Sequence, residues 1–415
     1  MPSDCISPLI FGENLSLGAA SLKAANEFST NVLVIGGGVT GLVTAWVLLD
    51  RGYHVTIVAK EWATWTQAHR LTSQIAGELW EYPPAVCGQH TDAISLANSK
   101  RWCMISYKIW DTIASDSQMA VISGVKMRPS HFFFPCAIED DLAHGVRGFM
   151  RDRRLHRVPG INRQYGVVDA YEHLAPMIDT DRAMGWLMGL VQAKGARFVT
   201  EEIHGELYVQ EDELLTRFKA DAIVNATGLA GFTTAGDESC YPIRGALIRV
   251  INDNTNFPKI NQAMTITADA VHSADEIVFI VPRNDNILLL GGIAEPHQQC
   301  LDYTLETPIV KRMRQRCEDF FPQLKNAQTD PDYPLAQGLR PFRGTNVRVE
   351  RELRPIPSRI VHSYGQGGAG WSLAFGCAAD VADLVAEAVQ NLPAIPMAMP
   401  ENPAKEVPRE VKARL

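Results

Sequence analysis

A short apolar run, Val32 to Ile35, leads directly into Gly36-Gly37-Gly38-Val39-Thr40-Gly41, and this junction constrains the fold more than any other stretch of the chain. Glycines 36, 38 and 41 occupy the three positions of a G-x-G-x-x-G turn. The first permits the tight turn, the second lets a pyrophosphate approach the backbone, and the third lets a helix pack closely on its strand. Leu42, Ala45, Trp46 and Leu49 then fall on one helical stripe that Gly52 can stop, and His54 to Ala59 reads as a second strand. A glycine trio alone is compatible with a plain strand-to-helix turn. Strand, turn, amphipathic helix and strand in this order predict dinucleotide binding, with the helix N-terminus facing phosphates. The usual acid at the end of the second strand is replaced by Ala59 and Lys60, with Glu61 one step later. The motif does not distinguish NAD from FAD.

Composition narrows the class. A formal net charge of −8 over 415 residues leaves no basic face for phosphate backbones and argues against a nucleic-acid binder. No apolar run reaches the length of a membrane-spanning helix. The first thirty residues lack the basic start and compact apolar stretch of a secretion signal and read as an extension ahead of the first strand. The eight cysteines include no C-x-x-C pair, so no zinc clamp, other metal site or redox dithiol is expected. They are expected to act as small buried apolar residues in a reducing compartment.

Two distant segments bear on the choice of cofactor. Ala220 to Gly228, ADAIVNATG, reads as a buried strand ending in a turn. Val361 to Gly376, VHSYGQGGAGWSLAFG, brings glycines 365, 367, 368 and 370 just ahead of a helix with apolar residues at 378, 381, 384, 385 and 388. Such a loop can approach a flat ring closely, and a helix N-terminus aimed at a flavin's pyrimidine edge stabilises negative charge there. Alone, the same glycines serve equally well as a turn capping a core helix.

With these residues the sequence resembles the D-amino acid oxidase family. The matches run in the family's order: VIGGGVTGL at 34–42, IAGELWEYP at 75–83, IVNATGLA at 223–230, YPIRGALIRV at 241–250, FIVPR at 279–283, LLGGI at 289–293, QGLRPFR at 337–343 and HSYGQGGAGW at 362–371. The resemblance implies an α/β chain. A Rossmann-type FAD-binding domain is built from discontinuous segments, 31–100, 186–244 and 336–391, beside an interleaved α+β substrate domain with an antiparallel sheet, 101–185 and 245–335. It places Gly36, Gly38, Val39, Thr40 and Gly41 at the FAD pyrophosphate and Lys60 or Glu61 near the ribose. Ser73, Ala76, Gly77, Trp80 and Gly228 are placed beside the ring, with Gly367, Gly368, Ala369, Gly370, Trp371 and Ser372 over its pyrimidine end. FAD attachment in the family is non-covalent; His69, near the ring-facing segment, is the candidate for a covalent link.

The resemblance also implies that Arg340, in GLRPFR, holds a substrate carboxylate by a two-pronged charged hydrogen bond. The family's assisting tyrosine is replaced by Phe279, and a second tyrosine found in some relatives is replaced by Ala294. A hydrogen bond to a charged group contributes roughly 1.5–3 kcal/mol, so the missing hydroxyl weakens simple amino-acid binding about tenfold or more. His272, Asp275 and Arg283 are close enough in sequence to compensate. The implied reaction removes hydride from the carbon bearing an amine next to a carboxylate, the Gly368 carbonyl accepting from the amine. Imine and hydrogen peroxide are the products, with molecular oxygen as reoxidant. The pocket's departures point to a D-amino acid or to a bulkier or N-substituted one. A dehydrogenase, cyclase or isomerase of a specialised metabolite is the alternative on the same fold. A homodimer is a compatible assembly. The Pro-rich tail, 392–415, ends in Ala413-Arg414-Leu415, similar to a peroxisomal address read by an import receptor.

Overall fold

The computed structural model describes residues 15–64, 70–82, 92–138, 146–266 and 277–400. His69, His272, Asp275 and the closing 413–415 tripeptide lie outside the described residues. The glycine turn joins β1 (Asn31–Ile35) to α1 (Val39–Asp50), and β2 (His54–Ala59) returns parallel to β1. Then come α2 (Thr72–Ile75), α3 (Ala93–Ser115), α4 (Ser117–Ser123), β3 (Val125–Phe134), β4 (Met150–Arg151) and β5 (Asp169–Ile178). They are followed by α5 (Thr180–Ala193), β6 (Arg197–Thr200), α6 (Glu211–Phe218), β7 (Ala222–Asn225) and α7 (Gly231–Thr234). The chain goes on to β8 (Cys240–Ile251), β9 (Ala263–Ile266), β10 (Val278–Pro282), β11 (Ile287–Gly291) and β12 (Glu295–Pro296). It continues through α8 (Pro308–Phe320), β13 (Leu335–Arg343), β14 (Arg348–Arg351), β15 (Ile360–Tyr364) and α9 (Gly370–Val389).

These strands form two sheets. The first runs β14-β15-β7-β1-β2-β6 and is parallel apart from the β14–β15 pair. Alternation along β1 sends Val32 and Val34 into a core shared with α1, α3, α5 and α9, and Leu33 and Ile35 into a second core with Leu214 of α6. Cover on both faces is what a parallel sheet requires. α1 departs from the one-stripe expectation, since every residue in it but Thr40 is buried. The sheet takes one side of this helix, while Trp46 packs edge-on against Trp186 of α5 and Phe375 of α9 on others.

The second sheet contains β3, β4, β5 and β8 to β13, antiparallel except where β3 meets β9. Its borders differ from the expected segments. β13 falls inside 336–391 but for Leu335, yet it pairs with β8 from Leu335↔Ile248 to Arg343↔Cys240 and so lies in this sheet. α3, largely inside 101–185, packs instead on α9 in the core beneath the first sheet. Gly338 and Pro341 make β13 a poor strand by propensity, and its pairing with β8 overrides that weakness.

Where α3 crosses α9, Gly376 lies so close to Trp102 that a Cβ would fall 2.2 Å from the Trp102 Cα. Ser106 Oγ accepts from the N–H groups of Phe375 and Gly376 at 3.1 and 3.2 Å. The contact is backbone to backbone, so neither helix can yield cheaply. Gly376→Ala is expected to destabilise the protein by about 3 kcal/mol or more through forced separation of the helices. Gly189→Ala, in α5 with nothing within 4 Å of the added carbon, is expected to gain about 0.5–1 kcal/mol. Urea denaturation midpoints of the two variants check this pair.

Candidate active site

A cavity of about 1020 Å³ opens between the two sheets. Its walls include the glycine turn at Gly36–Thr40, the β2 end at Lys60 and Glu61, the strip Ser73–Gly77 apart from Gln74, and Gly228. Opposite them stand Gly245 and Leu247 of β8, Arg340 of β13, and Gly367, Gly368, Gly370 and Trp371. Sequence reasoning thus brings together most of what it singles out. Gly36 adopts φ +127°, and a Cβ on it would meet the Ala226 carbonyl at 2.2 Å, so the β1–β7 junction admits only glycine.

Ser73 joins three remote segments. Its hydroxyl accepts from the Val39 N–H at 3.0 Å, and its carbonyl accepts from Trp371 Nε1 at 2.9 Å. Thr72 Oγ1 donates to the Leu339 carbonyl at 3.1 Å. From the other side Arg283, 3% exposed, donates to the carbonyls of Ala76 at 2.7 Å, Ile178 at 3.2 Å and Gln74 at 3.4 Å, and to Thr180 Oγ1 at 2.5 Å. Arg283 therefore does not replace the missing tyrosine hydroxyl at a carboxylate, because its donors point to backbone. It fixes the strip that forms the cavity wall. Nothing in the motif FIVPR signals this, since the acceptors come from residues about 105 and 207 positions away.

Arg340 crosses the sheet over Gly245, where a Cβ would sit 2.3 Å from its Nη1. Nη1 donates to the Ile293 carbonyl at 3.0 Å, and Gly368 lies beside its stem, with a Cβ there 3.9 Å from Cδ. Burial lowers the guanidinium pKa, and among the described residues no carboxylate forms a salt bridge with it. A half-buried cation that faces a cavity with one carbonyl partner among the described residues is well disposed to take an anion.

Five expected contacts do not line the cavity. Gly41 serves packing instead: a Cβ would lie 2.0 Å from the Gly36 carbonyl oxygen. Trp80 is fully buried against Tyr107, at 4.8 Å between ring centroids, and edge-on to His173. Ala369 and Ser372 turn into the helix packing at 6% exposure each. Phe279 lies with Ile75, Leu247 and Leu289, and its para edge abuts Gly77, where a Cβ would fall 2.5 Å from Cζ. Apolar packing sets the place of the ring. Conversely, Arg70, Tyr241 and His297 line the cavity without having been singled out; only Tyr241, in the YPIRG match, carried a sequence signal.

The cavity fits a dinucleotide. Glycines with φ of +127°, +60° and +57° at 36, 228 and 367 leave its wall free of side chains, and the N-terminus of α1 opens onto it. Among the described residues no group of three or more His, Cys, Asp or Glu could hold a metal ion. Fold and site together define a flavin-binding class of oxidoreductase. A family profile described as FAD dependent oxidoreductase matches residues 31–384, and the chain belongs to this DAO family. It is 30% identical over 368 residues to the D-amino-acid oxidase of Streptomyces coelicolor, covering 86% of this chain and 98% of that protein. It is 26% identical over 386 residues to the D-aspartate oxidase of Talaromyces thermophilus, covering 85% and 94%. The crystal structure of glycine oxidase from Bacillus cereus superposes with a TM-score of 0.63 at 15% identity, over 88% of this chain and 98% of that one, a likeness of fold.

Next to Gly77, Glu78 is buried at φ +50°. Burial pushes its carboxyl up to about 8, with the positive charge of Arg283 opposing. The unfolded chain releases this proton near the ordinary value of 4.5, so stability falls as pH rises from there to about 8 and then levels. Glu78→Gln is expected to remove that slope, leaving the variant more stable than the parent at pH 8.5 by on the order of a few kcal/mol and similar at pH 4.5. Urea midpoints at the two pH values test it.

Proposed function

We propose that this FAD-dependent enzyme oxidises an amino acid at the carbon bearing its amine, giving an imine, with molecular oxygen as the final acceptor and hydrogen peroxide as the second product. The observation that carries this reading is Arg340, a half-buried guanidinium that among the described residues has no carboxylate partner, laid over Gly245 beside Gly368. The names of the relatives, D-amino-acid oxidase and D-aspartate oxidase, support it.

Bound FAD supplies the hydride acceptor. Gly36, Gly38 and Thr40 would hold its pyrophosphate, and Gly367, Gly368 and Gly370 its ring. Arg340 binds the substrate carboxylate through its planar fork and fixes the adjacent carbon with respect to the strip at Ala76 and Gly77. The Gly368 carbonyl accepts from the amine and orients it. Leu247, Trp371 and the ring of Phe279 behind Gly77 exclude water from the reacting side. No side-chain base is assigned, because the groups against Arg340 itself are Gly245, Gly368 and the Ile293 carbonyl.

Arg340→Ala is expected to lower kcat/KM by on the order of 100-fold or more, and Arg340→Lys to recover only part, since a point charge lacks the fork. Gly245→Ala is a sharper probe. Its new carbon meets the far end of a flexible side chain, so stability should change by less than about 1 kcal/mol, while the displaced guanidinium raises KM roughly tenfold. Anaerobic bleaching of the flavin by amino acids, followed by peroxide release on admitting oxygen, measures all three variants. A parent protein that no amino acid bleaches would refute the proposal.

A further inference from the structure

Strands β8 and β13 share a face from which Leu247, Gly245, Tyr241, Gly338 and Arg340 line the cavity. Along it Leu247, Gly245, Ile243 and Tyr241 follow at alternate positions, with Gly338, Arg340 and Phe342 opposite the last three. At the Leu247 end this face is closed: a Cβ on Gly77 would meet Phe279 Cζ at 2.5 Å and Leu247 Cδ1 at 3.4 Å. At the other end, two positions and about 7 Å beyond Arg340, Tyr241 is stacked on His297, with 4.5 Å between centroids and 26° between planes. Tyr241, His297 and Leu301 line the same cavity as Arg340, and Leu301 is 48% exposed at its rim.

The loop that carries His297 and Leu301 is firmly tied. Arg244 Nη1 donates to the Cys300 carbonyl at 2.7 Å and to Asp302 at 2.6 Å, and its Nε donates to Glu295 at 2.8 Å. Gln337 exchanges two hydrogen bonds with the backbone of Tyr303, at 3.0 and 3.2 Å. His297 itself adopts φ +63°, and its N–H donates to the Pro242 carbonyl at 2.8 Å. The ring pair is thus a prearranged flat surface rather than a loose rim.

We propose that the Tyr241–His297 pair is a second substrate subsite, and that the preferred substrate is an amino acid bearing an aromatic ring, which lies on this pair while Arg340 holds the carboxylate. The inference rests on the anchoring role proposed for Arg340. A substrate side chain finds Phe279 and Leu247 blocking one direction, and the open direction leads to a flat aromatic face suited to stacking.

Calorimetric titration of the FAD-loaded protein with 3-phenylpropanoate and with propanoate tests it, together with kcat/KM for D-phenylalanine and D-alanine. His297→Asn removes the ring while keeping a residue that tolerates the left-handed backbone. It is expected to weaken 3-phenylpropanoate and raise KM for D-phenylalanine roughly tenfold, leaving propanoate and D-alanine unchanged. His297→Phe, which keeps a ring, is expected to retain the preference. A parent protein that binds both carboxylates equally, or a His297→Asn variant that loses both or neither, overturns the subsite. Arg340→Ala separates the two readings: if it leaves both affinities intact while His297→Asn still weakens the aromatic ligand, the anchor fails and the ring subsite stands.

Discussion

The strip from Thr72 to Gly77 has only the single helical turn of α2 as structure of its own, and the cavity exists because this strip is held between two sheets. Arg283 supplies most of the restraint. Its guanidinium is buried, so solvent no longer stabilises the charge, and the nearby Asp179 and Asp181 offset part of that cost. Four acceptors on two segments, 74–76 and 178–180, then receive its N–H groups. A buried cation satisfied mainly by carbonyls is directional in a way that apolar packing is not. It sets the position of Ala76 and Gly77 to within hydrogen-bond tolerance, and Ser73 then connects that strip to the helices behind both glycine loops.

The arginines divide by what they face. Arg244, Arg249, Arg343 and Arg348 each meet a carboxylate at 2.5–3.1 Å and act as ties within or between elements. Arg340 differs from all of them in having, among the described residues, a single carbonyl partner. Glycines 245 and 368 on either side keep it accessible, so the same residue type yields structure in one setting and recognition in the other. The division follows from neighbours, not from the arginine itself.

How far the sequence could be read depended on the range over which each feature is determined. The turn at Gly36–Gly41 was legible because its glycines act within one strand and one helix. Arg340 and the 365–370 loop were legible through family resemblance. The place of β13 was not, since Gly338 and Pro341 disguise a strand that β8 specifies from about ninety positions away. Phe279 was read as a cavity residue because its position matches the family's tyrosine, but the ring packs with Ile75, Leu247 and Leu289 behind Gly77. Trp80 and Ser372 share motifs with wall residues, Gly77 and Trp371, while their own side chains are buried away from the cavity. Gly376 and Gly77 illustrate the general limit: a close approach is decided by the partner, and the partner is far away in sequence.

The first sheet has a consequence for how the chain reaches its native state. Asn31 donates to Asp221, 190 positions on, and Trp371 donates to Ser73 across 298. The central strand β1 has β2 close at hand, but its other neighbour, β7, lies about 190 positions on, and closing such a long loop is entropically costly before any contact offsets it. Folding should be slow, and half-finished chains would leave the apolar β1 edge unpaired and prone to aggregate. The cradle is complete only when its last helix docks, so nucleotide stabilises the finished molecule and does little to guide its assembly.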